Sequence, residues 1–328
     1  MVISQHGEKG GACLRNILQF LKSLYELIAP EAITGRLTVF QAVNDKDILP
    51  RQEAIALSSL DDISQRITSS CIIQVLETGY LLWQTNAYDP QVVAQNAVVY
   101  LIENSKEAFY AKDERMEIEK LDPSYASNFA LPTFDELREA LENYRSRMIR
   151  HSTCEIFKEA WFDANRICLA IKPEKLIRRS LAQYLASYMR GDVEVRPEQI
   201  VDETHPIDIK VTWWRSRRLA LIEIKWLGAS RNASGITTTY TEARARDGAD
   251  QLVDYLNKNK SKAPVHQTRG YLVVVDARRA KVENKTKQIS VANGMYYANK
   301  EIGYNPEHHK NRDDFDPPVR MFAEPICN

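Results

Sequence analysis

Apolar residues in the first half of the chain recur with two different periods. From residue 14 to residue 29 they are spaced three to four apart, which predicts an amphipathic helix. Apolar runs of strand length follow at 36–43 and 69–85. The second run is interpreted as two strands joined at Gly79, with a helix as the less favoured alternative. Helical spacing returns over residues 92–110.

The middle of the chain carries the signals of a linker and of further helix. Residues 112–132 are polar and bounded by proline, which predicts a loop or linker. Thr133 and Glu136 have the spacing of a capping box and predict a helix that runs to about Met148. The pattern at 154–171 is interpreted as a continuation of helix.

The C-terminal half shows short apolar runs between two helical patterns. Proline and glutamate open the first helix, and Gly191 is a typical stop signal after it. The predicted elements are a helix at 173–189, strands at 192–201, 206–214 and 219–227, a loop at 228–240, a helix around Gln251, a strand at 271–275 and a last short strand at 321–326.

Three charged residues stand inside two of these apolar runs. Asp208 follows a proline in the second strand, and Glu223 and Lys225 lie two apart in the third. Side chains alternate between the faces of a strand, so Glu223 and Lys225 share one face while Ile224 points away. If the two strands pair, Asp208 lies beside them. Two carboxylates and an amine at that distance can hold a divalent cation and position a water molecule.

These residues resemble the signature of the PD-(D/E)XK nuclease superfamily. Pro206-x-Asp208 and Glu223-x-Lys225 match its central motif, and Gln251 with Tyr255 on the following helix is similar to the QxxxY element of its RecB-like and Cas4-like branches. The resemblance covers about residues 173–276 and leaves the first 130 to 150 residues without a counterpart. It implies a restriction-endonuclease-like αβββαβ core with a mixed central sheet.

The resemblance also implies a mechanism, metal-dependent hydrolysis of phosphodiester bonds. Asp208, Glu223 and the carbonyl of Ile224 would hold Mg²⁺ or Mn²⁺, and Lys225 would orient or help to deprotonate a water molecule. In many family members a glutamate of the first helix reaches the metal through water, and Glu174 is the candidate here. The alternative for Glu174 is a simple interaction with the helix N-terminus.

A second Glu-x-Lys pair shows how weak this spacing is by itself. Glu283 and Lys285 lie in a polar stretch with no apolar strand around them, which is typical of a solvated surface. Glu223 and Lys225 differ because charged groups inside an apolar run are costly to bury without partners. A cross-strand ion pair is the structural alternative to a catalytic role for them.

Five arginines are candidate contacts to nucleic acid. Three lie with Trp213 and Trp214 in the turn between the two motif strands, and two lie near the start of the Gln251 helix, where cations and aromatic rings suit phosphate contact and base stacking. A solvated turn with one tryptophan packed inward is the alternative. The candidates are Arg215, Arg217, Arg218, Arg244 and Arg246.

Composition narrows the functional classes. The 44 basic and 44 acidic residues balance, but residues 1–150 carry 15 basic and 21 acidic side chains and residues 151–328 carry 29 and 23. The mildly basic second half suits nucleic-acid binding. The five cysteines lack the spacing of a zinc or iron–sulfur site, and no apolar run is long enough to span a membrane. We expect a cytoplasmic protein with no membrane contact.

Together these patterns predict an α/β protein of two domains. Residues 1–150 are expected to form an α+β regulatory or partner-binding domain, through which the chain binds another protein or itself. Residues 151–328 are expected to form the nuclease domain, acting on DNA in the favoured interpretation. An RNA-cleaving effector and a catalytically silent binding or assembly subunit are the alternatives. By analogy, such a nuclease would serve bacterial defence against phage or plasmids.

Overall fold

A computed structural model of the chain divides it into two compact units, Met1–Asp135 and Glu136–Asn328. The sequence predicts a division somewhere between Asp122 and Lys172, with residue 150 as the chosen boundary. The structure describes residues 1–30, 33–44, 47–67, 69–121, 125–131, 133–191, 193–202, 205–214, 216–263 and 266–328. Each unit holds one mixed sheet, so the chain is a mixed α/β protein.

The first unit is built on a seven-stranded sheet in the order β2-β4-β3-β1-β5-β6-β7, in which β1 and β3 are parallel and the other neighbours antiparallel. Its elements are α1 (Val2–Leu27), β1 (Leu37–Ala42), β2 (Ile55–Leu57), α2 (Leu60–Ser64), β3 (Cys71–Val75), β4 (Tyr80–Trp83), α3 (Pro90–Val93), β5 (Ala97–Glu103), β6 (Lys106–Ala111) and β7 (Glu114–Ile118).

Helix α1 covers one face of this sheet, as its apolar spacing predicts. Ile17, Leu21 and Leu24 are fully buried in one cluster with sheet residues such as Val39 and Val98. At 25 cal/mol per Å², each such side chain contributes about 1.5–3 kcal/mol of hydrophobic stabilisation. The predicted strands at 36–43 and on both sides of Gly79 are also confirmed.

Two predictions for this unit are wrong. Residues 92–110 form only one short helix and then the hairpin of β5 and β6, because β5 is buried on both faces and therefore lacks the alternation that marks a strand. The polar segment 112–132 contains β7, an edge strand whose residues are mostly exposed. Charged side chains are typical of such edges because they discourage pairing with other chains.

The second unit has the element order that its sequence predicts, with additions. Its sheet runs β13-β12-β10-β9-β8, with β11 paired to β10; β10, β12 and β13 are parallel, and the other pairs are antiparallel. The elements from the linking helix onwards are α4 (Phe134–Asn143), a π-helical segment (Tyr144–Ile149), α5 (Glu155–Lys158), α6 (Glu174–Tyr188), β8 (Val193–Asp202), β9 (His205–Trp213), β10 (Arg218–Asn232), β11 (Gly235–Tyr240), α7 (Glu242–Lys262), β12 (Gln267–Ala277), α8 (Val291–Gly294), α9 (His308–Asn311) and β13 (Val319–Phe322).

The structure corrects two predictions here as well. The segment 228–240 is a β-hairpin rather than a loop, since β10 continues to Asn232 and β11 returns beside it. The segment 154–171 contains only the four residues of α5 as helix. The other predicted helices and strands of this unit are confirmed, with two differences in extent. The capping-box helix is α-helical only to Asn143 and then π-helical to Ile149, and the last strand lies at Val319–Phe322 rather than at 321–326. Among the residues that the structure describes, no helix is both long and apolar enough to cross a bilayer.

Candidate functional site

Asp208 lies where the pairing of β9 and β10 stops. The last register pair of these antiparallel strands joins Ile209 to Ile222, and Asp208 and Glu223 are the next residue on each strand. Oδ2 of Asp208 then accepts a hydrogen bond of 2.8 Å from the backbone N–H of Ile224. The Asp208 side chain thus accepts a hydrogen bond from a backbone N–H of β10 that lies beyond the last register pair. This hydrogen bond fixes the carboxylate against β10.

Arg178 on α6 occupies the other oxygen of Asp208. Its Nη1 lies 2.9 Å from Oδ1 of Asp208, and its Nη2 lies 2.6 Å from Oε1 of Glu198 on β8. Asp208 is 5% exposed. Removal of this carboxylate from water is costly, and the guanidinium and the Ile224 N–H together offset that cost.

Glu223 and Lys225 share one face of β10 and bind each other. The Nζ of Lys225 donates to Oε1 of Glu223, and both side chains are almost completely buried. The same ammonium lies 2.9 Å from Oε1 of Gln251 on α7. Helix α7 approaches closely because Gly248 faces Lys225: a Cβ built there would lie 2.5 Å from the Cγ of Lys225.

Gln251 and Tyr255 extend these contacts along one face of α7. Nε2 of Gln251 donates to the Tyr255 hydroxyl at 3.1 Å, and that hydroxyl lies 3.3 Å from the carbonyl oxygen of Pro206 on β9. Residues four apart share a helix face. A connected polar network therefore runs from Glu223 through Lys225 and α7 back to the strand that carries Asp208.

Burial shifts the acid–base behaviour of the carboxylates. Burial, with the neighbouring charge of Asp208, raises the pKa of Glu223 to about 7, although Lys225 opposes the shift. Burial and Asp208 also raise the pKa of Glu174, against the opposing effect of Lys225, Arg244 and Arg178. Two carboxyl groups with raised pKa values beside a third are typical of functional sites, because such clusters are unfavourable without a cation.

The side chains of this network offer oxygen donors for a divalent cation. Oε2 of Glu223 is buried and has no hydrogen-bond partner in the described part of the chain, which leaves one carboxylate oxygen able to accept a ligand. Hard cations such as Mg²⁺ take carboxylate oxygens, so the donor type fits. Within the described residues, however, no three His, Cys, Asp or Glu side chains converge as a ready metal group. The site therefore offers two carboxylates, Asp208 and Glu223, with Glu174 nearby.

The predicted arginines have different positions. Arg217 and Arg246 are exposed, and Arg246 donates to the carbonyl of Gly303 at 3.2 Å. Arg244 lies over the ring of Tyr240, with its guanidinium carbon 5.0 Å from the ring centroid. Arg218 is fully buried at the start of β10 and so presents no surface to a phosphate. The predicted contact of Arg215 lies outside the described residues.

One of the two tryptophans beside the turn packs inward and the other is exposed, as the alternative of a solvated turn predicts. Trp213 is 1% exposed and packs inward, whereas Trp214 is 58% exposed. Only Trp214 has a free aromatic surface on which a base could stack.

Two residues of the site were not predicted from the sequence. Arg178 lies four residues after Glu174 on the same helix, and this spacing was an available signal because both then face Asp208. Gly248 gave no signal, since an isolated glycine inside a helix pattern has many explanations.

Comparison of the chain with protein-family models, curated proteins and solved structures found no significant match.

Proposed function

We propose that the second unit is a metal-dependent nuclease that hydrolyses phosphodiester bonds, with DNA as the preferred substrate. The observation that carries the proposal is the buried network of Asp208, Glu223, Lys225 and Gln251, brought together from three elements. Burying these groups costs stability, and replacing a buried ion pair by apolar residues is often neutral or stabilising. A catalytic role explains why the chain carries a buried charged network that costs stability.

Asp208 and Glu223 would hold Mg²⁺ or Mn²⁺, with Glu174 as a further candidate. When bound, the cation would neutralise charge on the scissile phosphate and lower the pKa of a water molecule. Glu223 offers the partnerless Oε2 for this purpose. Arg178 already balances the charge of Asp208, so it would have to share that carboxylate with the cation.

Lys225 and Gln251 have roles that follow from their contacts. The ammonium of Lys225 is held by Glu223 and by Gln251, and it can donate a hydrogen bond to an attacking water or to a charged phosphate oxygen. Gln251 orients that ammonium and is itself fixed by Tyr255. The order α6, β8, β9, β10, α7, β12 supports a restriction-endonuclease-like core. Residues 1–135 would then regulate the nuclease or bind its partner.

One observation favours a second function, a catalytically silent nucleic-acid-binding subunit. Both carboxylates already have a cationic partner, Arg178 for Asp208 and Lys225 for Glu223. Such pairs are also found in purely structural networks. A silent site should gain no stability from Mg²⁺ or Mn²⁺, whereas a cation that binds the folded state alone must stabilise it.

The test is a cleavage assay with labelled single- and double-stranded DNA and RNA in EDTA, Mg²⁺ or Mn²⁺. The variants are Asp208→Asn and Lys225→Ala, and the matched control is Lys285→Ala from the exposed second Glu-x-Lys pair. We expect metal-dependent cleavage by the wild type and the control, and none by the two site variants. The substrate that is cut decides between DNA and RNA. Unchanged cleavage by Lys225→Ala would refute the site. If no substrate is cut and thermal denaturation shows no response to either metal, the silent subunit is the better function.

A further inference from the structure

A small cavity of about 240 Å³ lies in the second unit at the start of α7, away from the Asp208 network. Gly228, three residues beyond Lys225 on β10, forms part of its wall, which places the cavity about 10 Å further along the strand. Thr241, the residue that precedes α7, also lines it, ten residues and roughly 15 Å before Gln251. The cavity is smaller than the roughly 300–1,000 Å³ of pockets for drug-sized ligands.

The lining of this cavity is strongly cationic. Arg278, Arg279 and Lys281 contribute to it, and none of the described residues that line it is an aspartate or glutamate. Arg278 is neutralised by Asp276 and Glu242, at 2.7 and 2.8 Å. The other two cations have no ion pair among the described residues.

Arg279 is the most informative of these cations because it is buried without a counter-ion. It is only 8% exposed, and its Nε has no hydrogen-bond partner within the described part of the chain. Its other nitrogens donate to the carbonyl oxygens of Arg278, Arg166 and Ala323. Burial lowers the pKa of Arg279 to about 10 despite the charge of Asp276. The guanidinium also lies over the rings of Trp161 and Phe322, with its carbon 5.9 and 5.2 Å from their centroids. It has no ion pair among the described residues and retains a full positive charge beside the cavity.

The N-terminus of α7 adds to this positive potential, and Glu242 in its first turn offsets only part of it because that carboxylate pairs with Arg278. The helix has 21 residues, and the Thr241 side chain makes no capping hydrogen bond to it. The first backbone N–H groups of a helix attract anions, and so does the positive end of its dipole. The hydroxyls of Thr239 and Thr241, both exposed at the cavity, can donate to phosphate oxygens.

We infer that this cavity, lined by Arg279, Lys281 and Thr241 just before α7, is a phosphate-binding site separate from the Asp208 network. Two sources can supply the phosphate. One is a small phosphorylated molecule, such as a nucleoside monophosphate. The other is the backbone of a nucleic acid, since 10–15 Å corresponds to roughly three to four steps of 3.4 Å along one strand.

The test measures binding of pyrophosphate, AMP and adenosine to the full chain by calorimetry, in EDTA and chloride buffer so that no divalent cation takes part. We expect pyrophosphate or AMP to bind and adenosine not to bind. Lys281→Ala, an exposed change that spares the fold, and Arg279→Gln should each weaken binding at least fivefold. Lys285→Ala is the matched control from the same exposed segment and should bind like the wild type.

Several results would overturn the site. The first is that the wild type binds no phosphate compound, and the second is that Lys281→Ala binds as well as the wild type. The third is that Asp208→Asn loses binding, which would show that the phosphate binds at the Asp208 network and not in this cavity. Oligonucleotides with and without a 5′-phosphate identify the source. If Lys281→Ala weakens their binding as well, the site holds substrate backbone; if it weakens only AMP binding, the ligand is a small molecule. Because the assay contains no metal and measures no cleavage, its outcome is independent of whether the second unit is a nuclease.

Discussion

The ammonium of Lys225 lies 2.9 Å from Oε1 of Gln251, although 26 residues separate them in the chain. The contact joins the centre of the sheet to the helix that covers it. Gln251 is in turn held by the Tyr255 hydroxyl, so its amide has one preferred orientation. This geometry makes Gln251 a positioning residue for Lys225 in the proposed reaction.

Replacement of Gln251 by alanine is therefore expected to weaken cleavage without abolishing it. The ammonium would keep Glu223 but lose its second anchor, and we expect a ten- to hundredfold fall in kcat/KM, about 1.4–2.7 kcal/mol. Steady-state cleavage in Mg²⁺ measures this. Asn257→Ala removes an amide from the same helix that contacts Arg312 instead, and it should retain full activity. A Gln251→Ala variant with wild-type kcat/KM would contradict the positioning role.

The ion pair of Arg178 and Asp208 leads to a prediction about stability. Both side chains are largely buried, so Arg178→Ala leaves a carboxylate without its main counter-charge. We expect the free energy of unfolding to fall by about 2–4 kcal/mol in metal-free buffer. Mn²⁺ should then stabilise this variant more than the wild type, because the cation no longer competes with the guanidinium for Asp208.

Denaturant titrations with and without Mn²⁺ measure both effects. Arg196→Ala is the matched control, since its pair with Glu194 is more exposed and its loss should cost less than about 1 kcal/mol. Equal stabilisation of wild type and Arg178→Ala by Mn²⁺ would show that the cation does not bind beside Asp208.

The two strands that carry the site are predictable because the residues that mark them lie within a few positions of one another in the sequence. Charged residues at 208, 223 and 225 interrupt apolar runs of strand length, and strand geometry alone puts 223 and 225 on one face. The Gln251 helix was equally clear. The pairing of Arg178 with Asp208 is only partly predictable. Its position four residues after Glu174 puts both on one helix face, but its reach to Asp208 depends on how α6 packs against the sheet.

The wrong predictions have physical causes of the same kind. Strand β5 has a continuous apolar run because the sheet of the first unit is covered on both faces there, and such a run also fits a helix. The glycine, serine and asparagine residues of the segment 228–240 favour a loop, although the segment forms a hairpin. Its threonines at 237–239 favour a strand, and they were the signal to follow.

The close approach of Gly248 to Lys225 gives a third prediction. Alanine is intrinsically better than glycine in a helix by about 1 kcal/mol, yet its Cβ would lie 2.5 Å from Cγ and 3.0 Å from Cε of Lys225. We expect Gly248→Ala to displace the lysine, lower the free energy of unfolding by roughly 1–2 kcal/mol and reduce cleavage more than tenfold.

Thermal denaturation and cleavage rates measured together check this. Gly303→Ala is the matched control, because a Cβ at that position meets nothing within 4 Å, and it should be neutral in both assays. A Gly248→Ala variant that is more stable and fully active would mean that α7 lies further from β10 than described.

Glu136 on α4 gives a prediction of pH dependence outside the candidate site. It is 5% exposed, its Oε2 has no partner among the described residues, and burial raises its pKa from 4.5 to about 7 despite the charge and a backbone hydrogen bond of Arg190. The folded state thus keeps Glu136 protonated at pH values where the unfolded state has already ionised. Its contribution to the free energy of unfolding must therefore fall as the pH rises from 4.5 to about 7, and it stays low above that range.

Glu136→Gln should remove this dependence, because the amide cannot ionise. The variant should be more stable than the wild type by about 1–3 kcal/mol at pH 8, with the difference shrinking towards zero near pH 4. Urea titrations at several pH values measure it, and the difference between the two proteins cancels the other titrating groups. Glu142→Gln, an exposed change on the same helix, should alter stability by less than about 1 kcal/mol at every pH. A pH-independent difference for Glu136→Gln would mean that Glu136 is ionised in the folded protein, with Arg190 as its counter-charge.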